Sequence, residues 1–237
     1  PRAYGDWQQL VDAADIDIVT IAVPPPLQPA IIGYASERGK HLFCEKPLAA
    51  DSQEIEALSA TDGSSVIAVN FEFPEIAAWR ELKAILDRGE LGIVHQIIVR
   101  WRVQTYAHRQ HLKNWKTSPA QGGGAITGLV SHTLHYLEWL FGPILSVRTE
   151  QLSDDESRLC ATVGFADGCS ATITAAVDDA DGPEHCLDVI GSDGRAVLTN
   201  TSSDYVRGFR LSTSRAGKPL QVIPVDDVPA DVEDRPF

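Results

Sequence analysis

The residues best suited to chemistry lie in Gln121 to Gly142, QGGGAITGLVSHTLHYLEWLFG. On a helix of about 100° per residue, Ile126, Leu129, Val130, Thr133, Leu134, Leu137, Leu140 and Phe141 share one arc. Gly128, His132, His135 and Trp139 collect on the opposite side. A solvated face would carry Lys, Glu and Ser there. Two imidazoles, an indole and a glycine read either as the lining of a site or as a helix under a sheet with its histidines satisfied. Gly122, Gly123 and Gly124 permit unusual backbone angles and are expected to leave free N–H groups at a helix N-terminus. The second candidate is Cys44-Glu45-Lys46-Pro47, at the carboxyl end of a predicted parallel strand, where open α/β sheets bind ligands. Lys46 either places an ammonium in a cleft there or faces solvent.

Two other chemistries compete for these residues. His132 with His135, and His108 with His111, form two HxxH pairs that could supply imidazoles to zinc or iron. No Asp or Glu is spaced as a third ligand, so no metal site is assigned. Nucleophilic catalysis has less support, because there is no GxSxG and no Cys stands in a recognisable order with a His.

The elements that must position these groups change character along the chain. Ile16 to Val23 (IDIVTIAV) is a continuous apolar run expected of a strand buried on both faces, ending at Pro24-Pro25-Pro26. A helix with Leu27, Ile31, Tyr34 and Ala35 follows and stops at Gly39; His41 to Cys44 is the next strand. Asp51 and Glu54 open a helix through Ala60, and Ser65 to Phe71 is a further strand. This is half of a doubly wound domain. From Pro74 a helix runs through Arg88, with Ala78, Trp79, Leu82, Ile85 and Leu86 on its apolar face, closed by Gly89. In the long strand Ile93 to Thr105, Ile93, Ile97, Val99, Trp101 and Val103 point one way and Gln96, Arg100, Arg102 and Gln104 the other. Beyond residue 145, LSVRTEQL, RLCATVGF, SATITAAV, HCLDVIG and RAVLTN read as antiparallel strands, with Asp167-Gly168 and Asp193-Gly194 as hairpin turns. The acidic close, VDDVPADVEDRPF, reads as a loop or tail. The fold class is therefore α/β: an incomplete Rossmann-type parallel sheet over 1–71, then an α+β domain with a large open antiparallel sheet over 72–237.

The 237 residues carry 33 acidic and 20 basic side chains, a formal net charge of −13. A phosphate backbone requires clustered basic surface, and Arg100 with Arg102 is the nearest approach to one, so no nucleic-acid partner is expected. No apolar run approaches the roughly 18 residues of a membrane span, and no signal pattern opens the chain; a cytoplasmic protein with no membrane partner is expected. Cys44, Cys160, Cys169 and Cys186 are expected to be free thiols. The sequence contains no methionine and opens at Pro1, so a truncated or processed chain is expected.

Three blocks in this order resemble the glucose-fructose oxidoreductase, inositol dehydrogenase and MocA family of NAD(P)-dependent oxidoreductases. IDIVTIAVPPPLQPAIIGYASERGKHLFCEKPLA is similar to the nucleotide-domain block that ends in EKP. LDRGELGIVHQI resembles the helix and first strand that follow the nucleotide domain. NWKTSPAQGGGAITGLVSHTLHYLEWLFG resembles the substrate-site segment. The resemblance implies a Rossmann-type domain, then an open sheet that commonly joins subunits, hence a homo-oligomer. It implies NAD or NADP bound by Val23, Pro24, Pro25, Glu45, Lys46 and Pro47. It implies a small polyhydroxy substrate bound by Lys46, Trp115, Gly128, His132 and His135, with Lys46 and His132 catalytic. Oxidising a secondary alcohol requires a base near neutral pH, which imidazole supplies, while an ammonium stabilises the developing alkoxide.

The sequence departs from the family pattern at several points. Gly128 and His135 stand where aspartates are usual, four residues before and three after His132, and Gln28 stands where a histidine is common. No stretch supplies the glycine-rich GxGxxG that holds a pyrophosphate. The resemblance nevertheless implies an NAD(P)-dependent oxidoreductase acting on a sugar, cyclitol or related polyol. The alternative is a cofactor-free derivative doing non-redox acid–base chemistry or binding a ligand.

Overall fold

The computed structural model describes residues 2–59, 65–204 and 206–225. The closing segment, from Asp226 onward, lies outside them. Two compact units result: the chain up to Phe71 with Lys113–Gly123, and Glu72–Leu112 with the chain from Gly124 onward. Lys113–Gly123 joins the first unit although the sequence places it in the second stretch. Gly122 fastens it: its φ is +81°, and a Cβ there would stand 3.0 Å from the Pro25 side chain.

The first unit is built on a parallel sheet of β1 (Ile18–Ile21), β2 (His41–Cys44) and β3 (Ile67–Val69), in that order. Helices α1 (Trp7–Val11), α2 (Gln28–Ser36) and α3 (Ser52–Ser59) accompany it. Val11, Val19, Ile21, Ile32, Ala35, Leu42 and Cys44 form its core. Strands β1 and β2 both alternate exposed and buried residues, for β1 contrary to the expected two-sided burial; Ile18 and Phe43 are 63% and 41% exposed. Among the described residues only one face is covered, so alternation rather than run length determines burial. In α2 the buried positions are Gln28, Ile32, Ala35 and Ser36, whereas the expected core residue Leu27 is exposed. Asp51 caps α3 by accepting from the Glu54 N–H at 3.0 Å, and the Glu54 carboxylate accepts from the Ala50 N–H.

The second unit begins with α4 (Ala77–Asp87), whose buried stripe is Ala78, Trp79, Leu82 and Ile85. It continues through β4 (Val94–Arg102), α5 (Tyr106–Arg109) and α6 (Ser131–Phe141). It ends in β5 (Ile144–Leu152), β6 (Arg158–Phe165), β7 (Ser170–Ala176), β8 (Glu184–Gly191), β9 (Gly194–Asn200), β10 (Arg210–Arg215) and β11 (Gln221–Ile223). One sheet takes the order β11-β10-β9-β8-β4-β7-β6-β5. It is mostly antiparallel, but β4 and β7 run parallel, which the expectation of a purely antiparallel sheet did not include. Strands β10 and β11 add to the expected set; their short runs carry little apolar alternation. A bulge between Val94 and Gln96 resets the phase of β4: Ile93 is 74% exposed and Val94 packs inward instead.

Ile97, Val99 and Trp101 face the core under α4 and α6, while Arg100 and Arg102 reach Glu184 on the other face at 3.2 and 2.7 Å. That pairing places a carboxylate between the two arginines. All four cysteines are free, and burial pushes the Cys44 thiol up to about 11. No helix among the described residues is long and apolar enough to cross a membrane.

Candidate active site

In the first unit the candidate residues gather at the carboxyl edge of the parallel sheet. Val23 and Pro24 follow β1 and are half-buried, Pro25 is buried, and Glu45, Lys46 and Pro47 follow β2, all half-buried. The Lys46–Pro47 peptide is cis. Two side chains brace this loop from opposite sides. Asn70, just past β3, donates from Nδ2 to Glu45 Oε1 at 2.9 Å. Gln28, 1% exposed at the start of α2, donates from Nε2 to the Pro47 carbonyl at 2.8 Å. The backbone continues the same tie, with the Glu45 N–H on Ile21 O and the Asn70 N–H on Cys44 O, each at 2.8 Å. Three strand ends therefore present a shared, hydrogen-bonded rim, the place at which such sheets bind nucleotides.

Trp115 opens a single 3₁₀ turn, Trp115–Thr117, capped reciprocally by Asn114 and Thr117. Its placement depends on Gly123, where a Cβ would stand 2.2 Å from the Trp115 carbonyl oxygen. The triple glycine thus serves close backbone approach more than anion binding. The Gly122 and Gly123 N–H groups donate to Pro119 O and Ser118 O, and that of Ala125 to Glu156 O. The Gly122 and Gly123 donors expected to be free are thus engaged, because the chain turns back on itself before the helix begins.

In the second unit His132 and His135 stand on α6, which is entered through a π-helical stretch, Ile126–Val130. The Ser131 N–H bonds Ile126 O, five residues back. This wider turn shifts the phase that a uniform 100° wheel assumes. His132, expected opposite the apolar arc, is buried with Thr133, Tyr136, Leu137 and Leu140. Its ring meets the Phe73 edge at 5.3 Å and Trp101 at 5.9 Å, and its Nδ1 lies 3.7 Å from Glu72 Oε2. His135 is half-buried; desolvation lowers its pKa and Glu138 opposes that shift. Gly128 is not imposed by crowding, since a Cβ there would meet only Val177, at 3.9 Å.

Behind His132 lies a polar device that the sequence did not reveal. His185, on β8, stacks on Trp101 with centroids 4.0 Å apart and planes 4° from parallel. Its Nε2 is 3.2 Å from the Tyr136 hydroxyl, which donates to Thr133 Oγ1 at 3.3 Å. Burial drives the His185 pKa down to about 3, so the ring is neutral, and pushes the Tyr136 phenol up. His108 bonds Thr105 Oγ1 through Nδ1 at 2.7 Å. Among the described residues no group of three or more His, Cys, Asp or Glu could hold a metal ion.

Lys46 and Trp115 belong to the first unit, and Gly128, His132 and His135 to the second. Glu72 was overlooked in the sequence, where its one signal is a lone acid between two phenylalanines in NFEFPE.

A profile described as oxidoreductase family, NAD-binding Rossmann fold, matches residues 1–65, and one described as GFO/IDH/MocA C-terminal domain matches residues 79–197. An uncharacterized oxidoreductase of Synechocystis, sll0816, is 31% identical over 245 residues, covering 94% of this chain and 66% of that protein. An inositol 2-dehydrogenase of Burkholderia lata is 32% identical over 142 residues, covering 59% of this chain and 39% of that one. The chain therefore spans two thirds or less of the length of these relatives. The solved levoglucosan dehydrogenase in complex with NADH shares the fold, with a TM-score of 0.82 at 21% identity over 94% of this chain and 64% of that one. The two profile matches account for both units in order, and the chain belongs to the GFO/IDH/MocA oxidoreductase family.

Proposed function

We propose that this chain is a nicotinamide-dependent dehydrogenase acting on a secondary hydroxyl of a sugar, cyclitol or related polyol. The observation that carries the reading is the braced Glu45-Lys46-Pro47 loop at the carboxyl edge of a parallel sheet. Family membership and the names of the relatives, inositol 2-dehydrogenase and levoglucosan dehydrogenase, support it.

The residues present fit the nicotinamide end of a dinucleotide. Val23, Pro24, Pro25, Glu45, Lys46 and Pro47 lie on the ligand-binding rim, and Gln28 Oε1 beside Pro47 is a buried acceptor with no hydrogen-bond partner among the described residues. When bound, NAD or NADP supplies the hydride acceptor. His132 takes the proton of the reacting hydroxyl, for which imidazole is suited near neutral pH. The Lys46 ammonium stabilises negative charge developing on a substrate oxygen. Trp115, Gly128 and His135 complete the substrate contacts; Gly128 and His135 replace carboxylates usual in the family and thereby set a different hydroxyl pattern. The outer face of the large sheet serves as the contact of a homo-oligomer.

The test is titration of NADH and NADPH by calorimetry, with turnover over a panel of cyclitols and anhydro-sugars, for the parent and Lys46→Ala. Micromolar binding weakened about tenfold or more by Lys46→Ala is expected, an energy of about 1.4 kcal/mol. Absence of binding for both dinucleotides overturns the reading. It favours acid–base chemistry without a cofactor.

A further inference from the structure

We propose that Glu72 is the positioning carboxylate of His132: it fixes the tautomer of the ring and stabilises its protonated form. The proposal rests on the reading of His132 as the proton acceptor, but its geometry stands apart from that reading. Glu72 Oε2 and His132 Nδ1 are 3.7 Å apart, with side chains 22% and 7% exposed, so the imidazole is buried and the carboxylate partly so. Screening is weak in such a place, and a carboxylate at this range favours the imidazolium.

The local fold explains why Glu72 can serve. It immediately precedes the 3₁₀ turn Phe73–Glu75, with φ −73° and ψ −24°, so its backbone is already in the turn conformation. The next residue, Phe73, is 1% exposed and sets its ring at 80° to His132. One turn thus delivers both a wall for the imidazole and an acid for its Nδ1. Trp101, itself held between His132 and His185, closes another side of the ring.

Other charged and titratable groups near His132 are placed differently. Position 128 on the same helix is glycine and position 135 is histidine, so neither supplies a carboxylate. Glu138 is engaged with the Ile144 N–H at 3.1 Å. His185 lies behind Trp101 and is neutral, and Arg100 and Arg102 stand on the far face of the sheet against Glu184.

A neutral imidazole has one donor and one acceptor nitrogen. With the proton on Nδ1 toward Glu72, Nε2 is the acceptor. When Nε2 takes the hydroxyl proton of the substrate, the positive charge on the ring is matched by the Glu72 carboxylate. The proton rests on Nε2, and Glu72 stays ionised throughout.

The test is an NMR titration of the histidines in the ¹⁵N-labelled chain, with His132 assigned by His132→Asn, for the parent, Glu72→Gln and Glu72→Asp. We expect the neutral His132 of the parent to be protonated at Nδ1. Glu72→Gln should lower its titration midpoint by about one pH unit, and Glu72→Asp should restore most of that shift. An Nε2-protonated neutral ring in the parent overturns the proposal, and that measurement needs no variant to fold. An unchanged midpoint in Glu72→Gln overturns it as well. These readouts need no turnover: a present shift with full turnover in His132→Asn would refute the dehydrogenase role of His132 and leave the pair standing.

Discussion

In the first unit the polar groups of interest sit at strand ends, on loops tied by a few hydrogen bonds. In the second they are set among aromatic rings. Lys46 leaves β2 on a rim held by Gln28 and Asn70, above a small core around Ile32 and Leu42. His132 instead lies against Phe73 and Trp101, in a cluster that continues through Trp79, Tyr136, His185 and Phe209. The two arrangements suit different tasks. A loop rim can close on a ligand at little cost in packing, whereas a base must be held at a fixed angle, and close-packed rings do that. Substitutions in the second unit should therefore disturb stability first, and those on the rim should disturb binding first.

The largest effect is expected from Trp79→Ala. Trp79 is fully buried against Phe73, Tyr136 and Phe209, and its loss should cost about 3–5 kcal/mol in urea unfolding. Lys46→Ala should leave the unfolding midpoint in place, and a comparable loss of stability there would erase the contrast. Gly123→Ala comes next, because its Cβ would collide with the Trp115 carbonyl at 2.2 Å. A cost of about 1–3 kcal/mol is expected, with an altered near-ultraviolet circular dichroism signal from Trp115.

The third test is one of pH. The folded pKa of His185 is about 3, below its ordinary 6.5, so the unfolded chain binds the proton first. The stability tied to its neutral form is complete above about pH 6.5 and is lost as pH falls toward 3. The loss approaches about 1.4 kcal/mol per pH unit within that window. Urea unfolding at pH 7 and pH 5 should show a smaller difference in His185→Phe than in the parent. The smallest effect, with opposite sign, belongs to Gly128→Ala. A Cβ there meets only Val177 at 3.9 Å, and the gain in helix propensity should raise stability by about 0.5–1 kcal/mol, measured by the same unfolding curves. A destabilised Gly128→Ala would mean that the π-helical turn itself requires glycine.

Much of this was legible in the sequence because it depends on neighbours along the chain. Strands β6, β7 and β9 follow from their alternation, and the stripe of α4 from its 3.6-residue period. Gly168 at the β6–β7 turn, with φ +84°, follows from Asp-Gly. The family was readable from EKP and the glycine-histidine block, which both profile matches cover. The phase of α6 was not readable, since one wider turn at Ile126–Val130 rotates everything after it. Ile93 and Val94 exchanged roles for a similar reason, the bulge at the start of β4.

The sequence by itself determined most of the elements up to residue 200, the α/β class and the loop that bears Lys46, because periodicity and turn residues act over a few positions. Only the tertiary structure placed Glu72 beside His132 and stacked His185 on Trp101. Those pairs join residues 60 and 84 positions apart, and their meeting depends on helix phase and sheet register, which no local pattern encodes.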